Sequence, residues 1–331
     1  MKSSASVAPG AVAPWSRLIH HPLNREGMAV LLLALAFVAG SRLSPFFLDA
    51  PYLLNETSLY METGLIALAM TFIIISGNID LSVASTLALV AGVTGVLHDH
   101  YSVPFGVAAG CGLALGAFLG WVNGLLIAWF RLPSLTVTLG TFALYRGLAQ
   151  VLLGDQSVSK FPEWFVGIDT RHVGNSPLPL TLVVFLGLAV VAGAVLHRSV
   201  FGRWTTALGT NEAACRYSGI AVDRVKITLF TLSGFLSGLA GLLMTSRLTV
   251  ARHDMGVGLE LEVITAVVLG GTDIFGGRGT IFGTVVALFL IGILKSGMGL
   301  ANIKAENQLV VIGLLLIFSV LLPNLLQKRR V

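Results

Sequence analysis

The chain has 331 residues, with 21 Lys and Arg against 16 Asp and Glu, a formal net charge of +5 and a mean hydropathy of +0.87. Charged residues make up 11% and hydrophobic residues 55%, against roughly 25% charged in a soluble domain. These values exclude a disordered chain, a nucleic-acid binder and, with 2 cysteines, a disulfide scaffold; they also leave more apolar surface than one water-soluble core can hide. The remaining class is a polytopic membrane protein, where basic residues report orientation.

Residues 1–27 are polar, carry Lys2, Arg17 and Arg25, and read as a cytosolic tail. The first apolar core starts near Met28 and no small-residue cleavage site follows, which argues against a signal peptide. A membrane crossing needs about 20 mostly apolar residues. Candidate crossings are 28–47, 59–77, 81–97, 104–130, 134–153, 178–196, 227–246, 260–275, 280–298 and 307–323, within a transmembrane domain of 28–323. Residues 324–331 form a basic cytosolic tail. The segment 260–275 is short and opens on Glu260 and Glu262, and 104–130 is long enough to tilt, so the count is about ten, with nine or eleven as alternatives. With the N-terminus inside and ten alternating crossings, 13 Lys and Arg fall inside, 7 fall outside or, like Arg42 and Lys295, at the outer end of a crossing, and Arg146 lies mid-crossing. That bias puts both termini in the cytosol. Lipid offers no hydrogen-bond partner and the apolar runs are continuous, so the fold class is an all-α helical bundle.

The first polar interruption is Ser76-Gly77-Asn78-Ile79-Asp80-Leu81-Ser82. It reads either as a tight cytosolic turn with Asp80 capping the next helix, or as a broken helix lining a polar cavity, where Asn78, Asp80 and Ser82 would meet sugar hydroxyls. Gly110, Gly112, Gly116, Gly120 and Gly124 recur at helical spacing, which lets helix backbones approach closely; a glycine-lined conduit is the alternative. Arg146 sits mid-crossing, where charge is expensive, and is either a functional residue or a structural partner. Glu62, Glu260 and Glu262 lie near crossing ends and read as interfacial.

The loop 197–226 is the longest cytosolic one, and within it Asn211-Glu212-Ala213-Ala214 reads as a capped helix start and Ser218-Gly219 as its stop. Such a helix lies on lipid headgroups or presents a rigid surface to a soluble partner. A second interruption, Gly270 to Gly279, resembles the first loosely; it reads as a cytosolic turn, or as a hinge or re-entrant break in which Asp273 and Arg278 can pair. Cys111 and Cys215 have no partner pattern and read as passive. No lysine follows a glycine, so there is no phosphate loop and the chain cannot be its own conventional ATPase. The spaced glycines of 277–283 follow no strand and do not make a dinucleotide site. No metal-ligand cluster is present in the sequence pattern.

Four segments carry a resemblance: SGNIDLSVAS at 76–85, RLPSLTVTLGT at 131–141, ALGTNEAACRYSGI at 207–220 and AVVLGGTDIFGGRGTIFGT at 266–284. Together they resemble the ribose-type permeases of ABC importers, most closely those for rhamnose or autoinducer-2. The general E-A-A…G pattern of such loops is matched with four residues, not three, between Ala214 and Gly219. The resemblance implies that Gly209, Asn211, Glu212, Ala213 and Gly219 serve ATPase coupling. It also implies a second permease protomer, a cytosolic ATP-binding subunit, and a periplasmic sugar-binding protein meeting 154–177 and 247–258 in the bacterial inner membrane. ATP would be used by the partner, with no cofactor on this chain. Two rival classes are an ion-gradient-driven carrier using Asp80 and Asp273, and a passive channel; neither needs a rigid docking helix in 197–226.

Overall fold

The computed structural model describes residues 23–43, 45–168, 171–174 and 176–328. Most of the expected N-terminal tail and the last three residues of the expected C-terminal tail lie outside the described residues. The described chain is helical throughout, joined by turns and two isolated antiparallel bridges, Val158 with Ala251 and His172 with Pro179.

Helix α1 covers Leu23–Leu43, α2 Ala50–Glu56, α3 Met61–Ile75, α4 Val83–Asp99 and α5 Phe105–Ala128. Then come α6 (Ser134–Leu153), α7 (Leu180–Arg198), α8 (Val200–Thr210) and α9 (Glu212–Tyr217). The chain closes with α10 (Val222–Leu248), α11 (Leu259–Leu269), α12 (Ile281–Leu300) and α13 (Ala305–Lys328). Six helical stretches are long and apolar enough to cross a membrane: Ala50–Ile75, α5, α6, α7, α10 and α12. The expected ten crossings are therefore met in full by six. The helix α4 and the stretch Glu306–Phe318 are apolar but shorter. At 11 residues α11 rises only about 16 Å, well short of a bilayer core near 30 Å.

All 15 residues of α3 are buried, so this apolar helix is solvated by protein on every side. By contrast α6 exposes Leu135, Leu139, Leu144, Leu148 and Val151, and α7 exposes Val183, Val184, Leu186, Val190 and Val191. Such apolar outer faces are stable against lipid tails and costly against water.

The glycine spacing in α5 resolves in favour of close packing. A Cβ at Gly116 would come within 2.6 Å of the Gly234 carbonyl, one at Gly120 within 2.1 Å of the Phe230 carbonyl, and one at Gly124 within 2.7 Å of the Ile227 Cα. The α5 and α10 backbones therefore touch through their glycines. Gly112 faces Thr94 of α4, and Gly110 meets nothing within 4 Å, so the stripe ends there. Helix propensity alone favours Gly120→Ala by about 1 kcal/mol, yet the added methyl meets backbone that cannot move aside. We expect Gly120→Ala to destabilise the purified protein by about 1–3 kcal/mol, read as a lower melting temperature in detergent; Gly110→Ala serves as the neutral comparison.

Candidate functional site

Helix α3 stops at the first interruption because Gly77 takes a left-handed conformation (φ +77°). The N–H of Gly77 bonds to the Ile74 carbonyl and that of Asn78 to the Ile73 carbonyl, so the last α3 carbonyls are satisfied. The end of α11 is built alike: Gly271 has φ +92°, its N–H bonds to Val268, and that of Thr272 bonds to Val267. Helix α9 ends in the same way, with Gly219 at φ +79° bonding to Arg216 and Ile220 bonding to Cys215. The likeness of the two interruptions is thus a shared helix stop that α9 also uses.

Beyond Gly77 the chain turns inward. Asp80 is 1% exposed. Its Oδ1 accepts the Ser82 N–H at 3.0 Å and the Ser82 hydroxyl at 2.6 Å, and its Oδ2 accepts the Ser233 hydroxyl of α10 at 2.9 Å. Asn123 of α5 donates from Nδ2 to Ser82 Oγ at 2.8 Å, and the Tyr145 hydroxyl of α6 lies 3.4 Å from Asn123 Oδ1. Ser134, at the start of α6, accepts the Ile79 N–H at 3.2 Å, while Thr138 donates to the Ile79 carbonyl. Asn78 donates back to Ser76. The interruption is therefore sewn into α5, α6 and α10, and in this conformation the Asp80 carboxylate faces protein donors. Asn123, Tyr145 and Ser233 are partners that sequence reading misses; the detectable sign is a lone amide within the apolar run of α5.

The second interruption is held by backbone. The Asp273 N–H donates to the Arg278 carbonyl at 2.9 Å, and Asp273 Oδ1 accepts the Phe275 N–H at 3.2 Å. Asp273 and Arg278 thus meet through main chain at this turn.

The segment 197–226 carries two short helices, α8 and α9, between the end of α7 and the start of α10. Ser199 caps α8 by accepting the Gly202 N–H, and Asn211 caps α9 by accepting the Ala214 N–H at 2.9 Å. Glu212 receives Arg216 at 3.0 Å on one oxygen and Lys226 of α10 at 2.8 Å on the other, and Arg216 also donates to Asp223 at 2.6 Å. Partial burial works against the Glu212 carboxylate, but the hydrogen bonds and charges of Lys226 and Arg216 outweigh it and hold its pKa below the usual range. The Asp223 hydrogen bond, joined by Glu212, raises the Arg216 pKa. Ala213 is exposed beside this cluster. The four ionic groups clamp α9 onto the start of α10.

Three glycines then bring the pieces together. The Gly277 N–H donates to the Ile75 carbonyl at 2.8 Å, joining the second interruption to the end of α3. A Cβ on Gly209 of α8 would lie 1.8 Å from that same carbonyl and 2.4 Å from the Gly277 nitrogen. A Cβ on Gly276 would lie 2.9 Å from the Gly77 Cα and 3.0 Å from the Gly209 Cα. Beside them a cavity of about 570 Å³ is lined by residues including Gly77, Asn78, Arg131, Ser134, Glu212 and Lys226. Asn78, Asp80, Ser82 and Asp273 thus share one end of the bundle with Gly209, Asn211 and Glu212.

Arg146 is elsewhere. Its Nη1 donates to the carbonyls of His253 at 2.6 Å and Met255 at 2.8 Å, tying α6 to the loop before α11. We expect Arg146→Met to free that loop, seen as faster amide exchange over 249–258 with the α9 segment unchanged; equal exchange in both proteins would refute the tether. Two of the three crossing-end carboxylates are buried in ion pairs, while Glu260 is partly exposed. Glu62 is 2% and Glu262 7% exposed, paired with Arg247 at 2.8 Å and Lys295 at 3.0 Å. Both cysteines are free, Cys215 buried and Cys111 exposed.

The described helices thus enclose one helix fully, present apolar outer flanks, and join a polar break to a surface helical hairpin. Residues 52–320 match the family described as branched-chain amino acid transport system / permease component. The chain belongs to this permease family. The permease is 33% identical over 314 residues to the ribose import permease protein of Haemophilus influenzae, covering 93% of this chain and 95% of that one. It is 36% identical over 309 residues to the ribose import permease protein of Escherichia coli K12, covering 91% and 94%. It is also 36% identical over 295 residues to the autoinducer 2 import system permease protein of Escherichia coli O9:H4, covering 87% and 88%. No solved structure matches the permease.

Proposed function

We propose that this permease is the membrane subunit of an ATP-driven ABC importer for a monosaccharide or sugar-like molecule, of the ribose or autoinducer-2 class. The observation that carries the reading is likeness over about nine-tenths of the chain to permeases of those two kinds. Rhamnose, which the four motifs also suggest, has no counterpart among these relatives. ATP is hydrolysed on a separate cytosolic subunit that docks on α8 and α9. A second protomer, identical or related, completes the path. A periplasmic sugar-binding protein delivers substrate to 154–177 and 247–258. The chain crosses the bacterial inner membrane ten times with both termini in the cytosol, so that α1, α4, α11 with its broken extension, and α13 join the six long helical stretches. Neither the substrate role of Asn78, Asp80 and Ser82 nor a path role for Arg146 and Asp273 is needed for this reading.

The clamp on α9 is the geometric support: a short helix fixed by four ionic groups presents a set surface to a soluble partner, as a lipid-resting helix need not. The test is affinity purification of the tagged protein from gently solubilised membranes, with companions counted by mass spectrometry. An ATP-binding subunit that co-purifies, and is lost on deletion of 209–219, is the expected result. A protein recovered alone, and active in vesicles under an ion gradient only, would sink the proposal in favour of a gradient-driven carrier.

A further inference from the structure

We propose that Gly209 is the positioning residue of a contact joint, with Gly77 and Gly276, through which the docking hairpin acts on both helix interruptions at once. The proposal rests on the ATP-driven reading and adds to it the route of the motion.

The joint is defined by backbone meeting backbone. The Ile75 carbonyl already accepts the Gly277 N–H at 2.8 Å. Gly209 sits where its Cβ would be 1.8 Å from that oxygen, and Gly276 stands with its Cβ position 2.9 Å from Gly77 and 3.0 Å from Gly209. No flexible side chain separates α8, the end of α3 and the turn after α11. Displacement of α8 is therefore passed on without a side chain to absorb it. From Gly77 it reaches Asp80, whose bonds to Ser82 and Ser233 lead into α4 and α10. From Gly277 it reaches Gly279 and the start of α12.

Gly209 is the informative position. It lies inside α8 and its φ is negative, so alanine is ordinarily the better residue there. Any loss on Gly209→Ala comes from the contact, not from helix propensity.

Two measurements on the assembled importer test this. In Gly209→Ala the ATP-binding subunit should remain bound and ATP hydrolysis persist, while uptake per ATP falls roughly tenfold or more because the joint is forced open; Gly110→Ala should leave the ratio unchanged. Wild-type uptake per ATP in Gly209→Ala overturns the joint. Independently of any glycine variant, spin labels at Tyr217→Cys on α9 and Phe275→Cys in the turn, both exposed, should keep one separation in nucleotide-free and ATP-trapped complexes. The separation from Tyr217→Cys to a label at Val257→Cys should change. A change in the first distance refutes the proposal. An unmodified chain that never binds an ATP-binding subunit refutes the ATP-driven reading instead.

Discussion

Asp80→Ala is expected to destabilise the protein by about 3–5 kcal/mol, because it strips partners from the Ser82 N–H and from two buried hydroxyls. In a thermal melt of the purified chain this corresponds to a fall of roughly 10 °C. Asp80→Asn keeps one oxygen for Ser82 and turns an amide toward Ser233, whose hydroxyl can accept. Its expected cost is about 1 kcal/mol or less. The pair separates two roles for the same residue. If Asn retains both stability and uptake, Asp80 is an anchor of the interruption. If Asn melts normally but abolishes uptake, the negative charge takes part in transport, as the carrier reading requires.

Glu212→Lys is expected to have the second large effect. It would place three cations where Arg216 and Lys226 now converge on one carboxylate. We expect α9 to swing off α10, uptake to fall by roughly tenfold or more, and ATP hydrolysis to continue uncoupled; one lost contact of about 1.4 kcal/mol already gives that factor. Adding Lys226→Glu should restore part of the uptake. Loss of membrane insertion would count against a coupling role. The pH dependence has a definite sign. Because the Glu212 pKa is depressed in the folded chain, its contribution is present above the ordinary Glu value, near 4.3, and fades as pH falls through the lower folded value. Amide protection of α9 should therefore be full from neutral pH down to the ordinary Glu range and fade progressively only below it.

The sequence made the bundle, both interruptions and the capped helix after Asn211 legible, because each has a local signature: a continuous apolar run, a Gly-polar break, an Asn cap followed by a Gly stop. The glycines of α5 were readable as a packing stripe, though not the partner they pack on. What stayed hidden is long-range. Asp80 and Ser233 are 153 residues apart, and Glu62 and Arg247 are 185 apart; no spacing rule links them. Glu62 read as interfacial since a carboxylate near a crossing end usually is, and only its distant arginine permits it to be buried. The full enclosure of α3 was equally invisible, since an apolar helix has the same composition whether lipid or protein surrounds it. The crossing count depends on the same distinction: α11 with its Gly-rich extension reads as one apolar run, while its helix has 11 residues.

Arg146 bears on how a visitor meets the opposite face. Two carbonyls of the segment 253–255 are held by one guanidinium rooted in α6, and Val158 and Ala251 exchange backbone hydrogen bonds nearby. The segment is thus ordered before anything lands on it. If the importer proposal holds, a delivery protein landing there would lose little entropy in fixing the surface it touches, and recognition at that face would rest on shape and charge already in place.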